Sequence, residues 1–165
     1  MANQRVTFTT SMGDFTAEVY SDKAPSSAQN FLQYVTDGFY DGTIVHRVIP
    51  GFVIQGGGFE PGMKEKKTRS SIKLEVANKL LHADGCLSMA RTNNPDSGTS
   101  QFFVCDGPQA GLDPKGPRDG YAVFGRVTHG IDVVRKIARV QTARKGMHDD
   151  VPKADVVIQN VRVTG

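Results

Sequence analysis

The sequence predicts a mainly β protein, a closed antiparallel β structure that carries two amphipathic helices. Three observations favour this class. Short runs of apolar residues, several of them alternating with polar ones, recur along the chain and are separated by glycine and proline. Only two stretches show the apolar spacing of a helix. Strands and helices do not alternate regularly, so a parallel sheet is not favoured.

The composition is that of one ordinary domain. The 165 residues are 38% hydrophobic and 22% charged, which is enough for one buried core. Twenty Lys and Arg against 17 Asp and Glu give a net charge of +3, without the clustered excess typical of nucleic-acid binders. No apolar run approaches the roughly 18 residues of a membrane helix, and no targeting pattern opens the chain. We therefore expect a single domain over residues 1–165, cytoplasmic, with no nucleic-acid or membrane partner.

The first part of the chain predicts a hairpin and then a helix. Residues 6–8 and 14–20 alternate apolar and polar side chains around the turn TSMG. Pro25 suits the first turn of a helix, and Gly38 suits its end. The buried face of this helix is predicted from its apolar spacing: Ala28, Phe31, Leu32 and Val35.

The rest of the chain predicts short strands and a second helix. The strands are expected near residues 43–48, 52–55, 86–90, 102–105 and 121–127. The second helix is expected at about 131–139, with Ile131, Val134, Ile137 and Ala138 on one face. In the final strand the apolar positions change phase after Ile158, which indicates a β-bulge near Asn160.

Arg47 lies where strand alternation would point its side chain into the barrel. If Val45 faces inward, Arg47 does too, because residues two apart share a face. An unpaired arginine is not stable in an apolar core. A small barrel also fills its interior with side chains, so a site must lie outside it. We therefore expect the strand to depart from its alternation here and to bring Arg47 to a concave outer surface.

Most catalytic constellations are weakly supported. No GxSxG motif occurs and no histidine has a local nucleophile pattern, so a hydrolase is disfavoured. Residues 147–152, MHDDVP, could ligate a metal, although a solvated acidic loop is more common. QGGGF lacks the GK[ST] of a phosphate-binding loop, and the basic residues 64–69 fit a solvated loop better than a nucleic-acid site. Cys86 and Cys105 are expected to be buried, reduced thiols. No CxxC pair or other metal-ligand spacing occurs, so a zinc site is not predicted. No cofactor is predicted either.

A set of polar and aromatic residues remains in strand-like segments. It consists of Arg47, Phe52, Gln55, Gln101 and Phe103. Each residue taken alone is ordinary, since arginines usually lie on the surface and phenylalanines in the core. Together they would form an apolar pocket with one cation and two amides at its rim, which is how a site for a small ligand or peptide is built.

Several motifs resemble those of the cyclophilins, the peptidyl-prolyl cis/trans isomerases. They are HRVIPGF, GFVIQGGGF, LSMA at 87–90, SQFFV at 100–104, VFGRV at 123–127 and GIDVVRKI after it. The resemblance covers essentially the whole chain in order, and the tail GMHDDVPKADVVI is similar to that of the short bacterial cytosolic members. It implies an eight-stranded antiparallel barrel capped by two helices, with the active site on the outer face.

The resemblance also implies roles for individual residues. The expected catalytic residues are Arg47, Gln55 and Phe52, and the expected substrate-binding residues are Val53, Ala90, Arg91, Thr92, Gln101, Phe103, Leu112 and Tyr121. The implied partners are proline-containing peptides and unfolded or folding proteins, bound by a monomer. Because Gly111 replaces a large aromatic residue of many relatives, we expect only weak cyclosporin binding. A module that binds proline peptides without turnover, or acts as a chaperone, is the alternative.

Overall fold

Short strands and two helices make up the computed structural model, which describes residues 2–165. In chain order the elements are β1 (Gln4–Thr10), β2 (Gly13–Val19), α1 (Pro25–Thr36), β3 (Thr43–Ile49), β4 (Val53–Gly56), β5 (Phe59–Glu60), β6 (Lys64–Glu65), β7 (Cys86–Met89), β8 (Phe102–Cys105), β9 (Val123–His129), α2 (Ile131–Ala138), β10 (Thr142–Lys145), β11 (His148–Pro152) and β12 (Val157–Val163). A 3₁₀ turn at Ala110–Leu112 interrupts the connection between β8 and β9.

Eight of these strands close into a barrel in the order β1, β12, β3, β4, β8, β7, β9, β2. Every neighbouring pair is antiparallel. Closure gives every barrel strand a neighbour on both sides, so the barrel itself has no open edge. The predicted fold class is confirmed.

The two helices bury one face each. In α1 the buried residues are Ser27, Ala28, Phe31, Tyr34 and Val35, so the predicted face is correct except that Leu32 is only partly buried and Tyr34 was missed. In α2 they are Val133, Val134, Ile137 and Ala138, with Ile131 partly buried. The Glu75 carboxylate accepts hydrogen bonds from the backbone N–H groups of Ser26 and Ser27 at 3.1 and 2.8 Å. These donors have no partner within a helix, so Glu75 completes the first turn of α1.

Aromatic rings fill the core. Phe31 lies 5.0 to 6.1 Å, between ring centroids, from Phe8, Tyr40, Phe102 and Phe124. All five side chains are at most 3% exposed. With the interior occupied in this way, a ligand can bind only on the outer wall or among the loops.

Register shifts in the barrel mark β-bulges, and two of them bear on the sequence predictions. Between β1 and β12, Thr9 pairs with Asn160 and Thr10 with Ile158, so the bulge predicted near Asn160 is confirmed. Between β3 and β4, Val45 pairs with Gly56 and Arg47 with Gln55, which leaves His46 as the extra residue. A bulge shifts the alternation by one.

The bulge at His46 answers the question that the sequence raises about Arg47. Val45 and Val48 both belong to the buried core, on either side of the extra residue. Arg47 between them is only partly buried and lines an outer pocket. The expected departure from alternation is therefore confirmed, and its cause is one inserted residue.

Residues 147–152 differ from the prediction. They do not form a solvated loop, because β11 pairs with β10 in a hairpin outside the barrel. Gly146, with a φ of +62°, makes the turn of the hairpin. Val151 in β11 is buried, with 1% of its surface exposed. The basic stretch, residues 64–69, also begins in a short strand, β6, which pairs with β5.

Within residues 2–165, no helix has the length and apolar character needed to cross a bilayer.

Candidate active site

A pocket of about 230 Å³ lies on the outer face of the barrel. Its lining is formed by Arg47, Phe52, Val53, Gln55, Ala90, Arg91, Phe103, Leu112 and Tyr121. The structure thus brings together nine of the eleven residues that the sequence proposes for the site. A larger groove of about 770 Å³ runs between residues 73–81 and 114–117, but it contains no aromatic side chain and no arginine. Of the two, the smaller pocket is the one that combines arginine and aromatic side chains.

Arg47 places a cation at the rim of this pocket. Its Nη1 donates a hydrogen bond to Oε1 of Gln55 at 3.3 Å, and its guanidinium carbon lies 5.9 Å from the centroid of the Phe52 ring. No carboxylate among residues 2–165 forms a salt bridge with it. A guanidinium carries five N–H donors. Most of them stay available to a ligand.

Gln55 and Gln101 continue the hydrogen-bonded row that begins at Arg47. Gln55 accepts from Arg47 through Oε1 and donates through Nε2 to Oε1 of Gln101 at 3.0 Å. These two bonds fix which end of each amide carries the donor. The Gln101 amide nitrogen then points its own N–H groups away from Gln55. The row therefore ends in the Gln101 amide nitrogen, which lies over the backbone of Gly58 and outside the lining of the pocket.

The glycines that follow Gln55 make room for this row. A Cβ on Gly58 would lie 2.5 Å from Cγ of Gln101, so only glycine lets that side chain lie across the backbone. Gly57 has a φ of +91°, and a Cβ there would lie 2.8 Å from the Tyr40 ring and 2.9 Å from the Phe102 ring. The QGGG sequence thus serves close packing behind the site.

The pocket floor is apolar. Phe103 is 4% exposed and meets the Tyr121 ring edge to face at 5.6 Å. Val53 and Phe103 lie on the neighbouring strands β4 and β8, and Leu112 comes from the 3₁₀ turn. A shallow apolar cavity beside a cation and two amides suits a small hydrophobic ring whose neighbouring amide groups need hydrogen bonds.

Arg91 holds one wall of the pocket. Its Nε and Nη2 donate to the carbonyl of Gly120 at 3.0 and 2.8 Å, and its guanidinium carbon lies 4.7 Å from the Tyr121 ring centroid. Thr92 lies outside the pocket lining, since it is exposed and both its N–H and its hydroxyl are 2.8 Å from the hydroxyl of Ser97. Gly111 is exposed at the tip of the 3₁₀ turn, with open space where a side chain would stand.

Two histidines lie close to the site, and no sequence motif indicates the role of either. Burial, with smaller contributions from the nearby His148 and Arg47, lowers the pKa of His46 to about 4. His46 is therefore neutral beside the Arg47 cation. His82 has no local partner pattern in the sequence, but in the structure its Nδ1 is 3.0 Å from Oδ1 of Asp113 and its Nε2 is 2.9 Å from the Ser88 hydroxyl. These partners come from separate segments, so no local motif could reveal them.

The cysteines do not supply a nucleophile. Cys86 and Cys105 are both buried and unpaired with each other. Burial raises the pKa of both thiols, that of Cys105 to about 12. A thiol with such a pKa is almost entirely protonated at neutral pH. No group of three or more metal-ligating side chains occurs within residues 2–165.

Comparison with known proteins identifies relatives along the whole chain. Residues 5–163 match the family described as cyclophilin type peptidyl-prolyl cis-trans isomerase/CLD. An Acinetobacter baylyi peptidyl-prolyl cis-trans isomerase is 52% identical over 99% of this chain and 87% of its own length. Escherichia coli peptidyl-prolyl cis-trans isomerase B is 51% identical over 96% of this chain and 99% of its own length.

The fold has relatives among solved structures as well. A Cryptosporidium parvum cyclophilin type peptidyl-prolyl cis-trans isomerase superposes with a TM-score of 0.83 at 26% identity, over 99% of each chain. A second crystal structure of that protein, in the presence of the dipeptide Ala-Pro, gives a TM-score of 0.82 over 98% of this chain and 99% of the other.

Proposed function

Because this chain belongs to the cyclophilin-type peptidyl-prolyl cis-trans isomerase family, we propose that it accelerates rotation about X-Pro bonds by donating a hydrogen bond from Arg47 to the prolyl nitrogen. The observation that carries the proposal is the position of Arg47 at the rim of an apolar pocket. Phe52, Phe103 and Leu112 would take the proline ring, with Val53 and Tyr121 beside them. Gln55 and Gln101 would bind the substrate backbone, and Ala90, Arg91 and Thr92 would border the peptide.

The reaction explains why one cation suffices. An X-Pro bond resists rotation because the nitrogen lone pair is delocalised into the carbonyl, and the barrier is about 20 kcal/mol. At the twisted transition state the lone pair returns to the nitrogen, which becomes a hydrogen-bond acceptor. In the planar ground state that acceptor hardly exists. A donor placed there stabilises the transition state selectively and lowers the barrier.

Arginine is suited to this task. It stays charged at every working pH and presents its donors in a rigid plane. Every tenfold acceleration requires about 1.4 kcal/mol, and a charge-assisted hydrogen bond in a partly dry pocket is worth about twice a neutral one. No covalent bond to the proline breaks, so neither a nucleophile, a metal nor a cofactor is needed.

The experiment that tests the proposal is two-dimensional exchange NMR on a short Ala-Pro peptide with catalytic amounts of protein. We expect rapid cis/trans exchange with the natural chain and a loss of about a hundredfold or more in kcat/KM with Arg47→Ala. The fold of the variant is checked by its amide spectrum. Peptide binding without exchange in the natural chain would contradict the proposal and would point instead to a binding module.

The proposed partners follow from the shape of the site. An open groove on the outer wall can accept proline-containing peptides and unfolded or folding chains, and its residues recognise mainly the ring and the backbone. We propose a monomer with one isomerase domain over residues 1–165 and no nucleic-acid or membrane partner. Two free buried thiols are consistent with the reducing environment of the cytoplasm.

Cyclosporin is expected to bind only weakly, because Gly111 offers no side chain at the exposed tip of the 3₁₀ turn. Adding an indole there with Gly111→Trp should strengthen inhibition about tenfold, since the site is open and an aromatic ring adds apolar contact area. A fluorescence or activity titration with cyclosporin measures the inhibition constants of the natural chain and of the variant. Nanomolar inhibition of the natural chain would contradict the expectation.

A further inference from the structure

Three polar side chains form a hydrogen-bonded row beneath the apolar floor of the pocket. Ser88 lies on β7, His82 lies in the segment before it, and Asp113 follows the 3₁₀ turn. Oδ1 of Asp113 is 3.0 Å from Nδ1 of His82 and also accepts from the His82 backbone N–H at 2.7 Å. Nε2 of His82 is 2.9 Å from the Ser88 hydroxyl. The row therefore ties three separate segments together.

The protons in this row have one consistent arrangement. Burial lowers the pKa of His82, and the hydrogen bond to Asp113 opposes that shift only in part. The imidazole is therefore neutral at physiological pH. Since a carboxylate can only accept, Nδ1 carries the hydrogen and donates to Asp113. Nε2 then accepts from the Ser88 hydroxyl, so every polar atom of the ring has a partner.

The same three residue types form the catalytic triad of serine hydrolases, but burial excludes that use here. Ser88 is 0% exposed, and the His82 side chain is 0% exposed. No substrate carbonyl can approach the serine oxygen, and a triad needs its nucleophile within reach of the substrate. The Asp113, His82 and Ser88 side chains can therefore affect only the residues that they contact.

Those surroundings are the proline pocket. The His82 ring stacks on Phe103 with 5.9 Å between centroids and 12° between planes, and Ser88 pairs with Phe103 across β7 and β8. Asp113 directly follows Leu112, and both Phe103 and Leu112 line the pocket. In addition, the His82 carbonyl accepts from the N–H of Gln109 at 2.9 Å. His82 thus touches the floor and holds both ends of the turn that forms the wall.

We propose that His82 is a positioning residue for the proline pocket, which sets the distance between Phe103 and Leu112 through its contacts with Ser88, Asp113 and Gln109. This inference rests on the proposed function of the pocket, but it concerns binding rather than the Arg47 step. A weakened row should let the 3₁₀ turn move away from Phe103. The proline ring would then lose part of its apolar contact, while the donors on β3 and β4 would stay in place.

The test measures two quantities separately by NMR line-shape analysis with an Ala-Pro peptide, namely Kd and the exchange rate of the bound peptide. Asp113→Ala removes the acceptor of both His82 hydrogen bonds, so it should raise Kd about fivefold and leave bound exchange within about twofold. Asp113→Asn keeps an oxygen acceptor for both His82 donors, so its Kd should stay within about twofold of the natural chain.

A matched control separates positioning from general stability. Thr43, 0% exposed, donates from its hydroxyl to the Tyr40 carbonyl at 2.6 Å, so Thr43→Val also removes a buried hydrogen bond. It should lower Tm without changing Kd. If Asp113→Ala lowers Tm but leaves Kd unchanged, as the control does, the positioning role is overturned.

Two further outcomes stay distinguishable. If Asp113→Ala does not fold, His82→Asn keeps a donor near Asp113 but removes the ring that stacks on Phe103, and an unchanged Kd in that variant overturns the inference. If the natural chain binds the peptide without isomerising it, the proposed function fails while the Kd comparison still decides the role of His82.

Discussion

The two sides of the pocket are held by different means. The donor side consists of Arg47, Gln55 and Gln101, on β3, on β4 and directly before β8. Backbone ladders between these strands fix their positions. The wall side consists of Arg91, Leu112 and Tyr121, none of which lies in a strand. Side-chain hydrogen bonds, from Arg91 to Gly120 and from His82 to Asp113, hold that side.

The proposed mechanism accounts for this difference between the two sides. A donor that acts on a transition state has to be placed within fractions of an ångström, and a paired strand supplies that accuracy. A wall that contacts an apolar ring tolerates small shifts, because dispersion and burial do not depend on direction. The donor side should therefore be sensitive to backbone changes, and the wall side to the loss of single side-chain contacts.

The largest effect on stability is expected at the bulge that turns Arg47 outward. His46 is 5% exposed, and its Nδ1 has no hydrogen-bond partner among residues 2–165. With a folded pKa of about 4 against 6.5 when exposed, the unfolded chain binds more protons between these values, so stability falls as pH falls from 6.5. The loss should reach about 2 kcal/mol at pH 5 relative to pH 8.

Urea unfolding at pH 5 and pH 8 measures this loss, and His46→Phe should remove most of it. Phenylalanine cannot be protonated, and it can keep the contact with Phe59, whose ring centroid is 4.6 Å from that of His46. Burial also lowers the pKa of His82, so a smaller loss should persist in the variant. An equally large loss in His46→Phe would show that the bulge histidine does not limit the acid stability of the donor side.

The sequence predicts the donor side better than the wall side, for physical reasons. The cost of burying an arginine predicts that β3 must depart from its alternation, and the motif around Gln55 predicts the amide row. The pairing of β3 with β4 makes His46 the extra residue, and the sequence of β3 alone does not reveal that pairing. His82 and Asp113 are 31 residues apart, so their contact exists only in the folded chain.

The hairpin of β10 and β11 escapes prediction for another reason. Its strands are short and only Val151 and Pro152 in them are buried, so they lack the apolar alternation by which a strand is recognised in sequence. The role of Thr92 stays a prediction. The resemblance assigns it to the border of the peptide, while its hydrogen bonds go to Ser97 and it lies outside the lining of the pocket.

A smaller effect is expected behind the donor side, at Gly58. An added methyl group would lie 2.5 Å from Cγ of Gln101 and force that side chain to move, which breaks its contact with Gln55. We expect Gly58→Ala to lower kcat/KM about tenfold, the effect of one displaced hydrogen bond in a partly buried site. Exchange NMR on the Ala-Pro peptide measures it.

Gly116→Ala provides the control for this change, because a methyl group there meets no atom within 4 Å. It should leave kcat/KM unchanged within about twofold, as expected of a surface substitution. Equal activities of the two alanine variants would mean that catalysis does not depend on the contact between Gln55 and Gln101. The donor side would then be no more sensitive to backbone changes than the wall side.

On the wall side, Arg91→Ala should have a milder effect. The change removes two hydrogen bonds to Gly120 and the guanidinium beside Tyr121, so the wall becomes more mobile. We expect Kd for the peptide to rise about threefold with little change in bound exchange, since the cation–π contact of a partly exposed pair is worth about 0.5–1 kcal/mol. A reduced exchange rate at unchanged Kd would instead place Arg91 among the donors.

The smallest effect is expected from pH on the rate itself. On the donor side the cation is an arginine, a side chain that is not deprotonated in proteins, and its buried neighbour His46 has a pKa of about 4 and is neutral above mild acidity. The rate should therefore be nearly flat between about pH 6 and pH 9, because no group at the reacting nitrogen changes charge. Exchange rates of the Ala-Pro peptide across this range measure it, with circular dichroism to verify folding. A bell-shaped profile in folded protein would require a titrating acid or base, and the single-cation mechanism would fail together with the division between donors and wall.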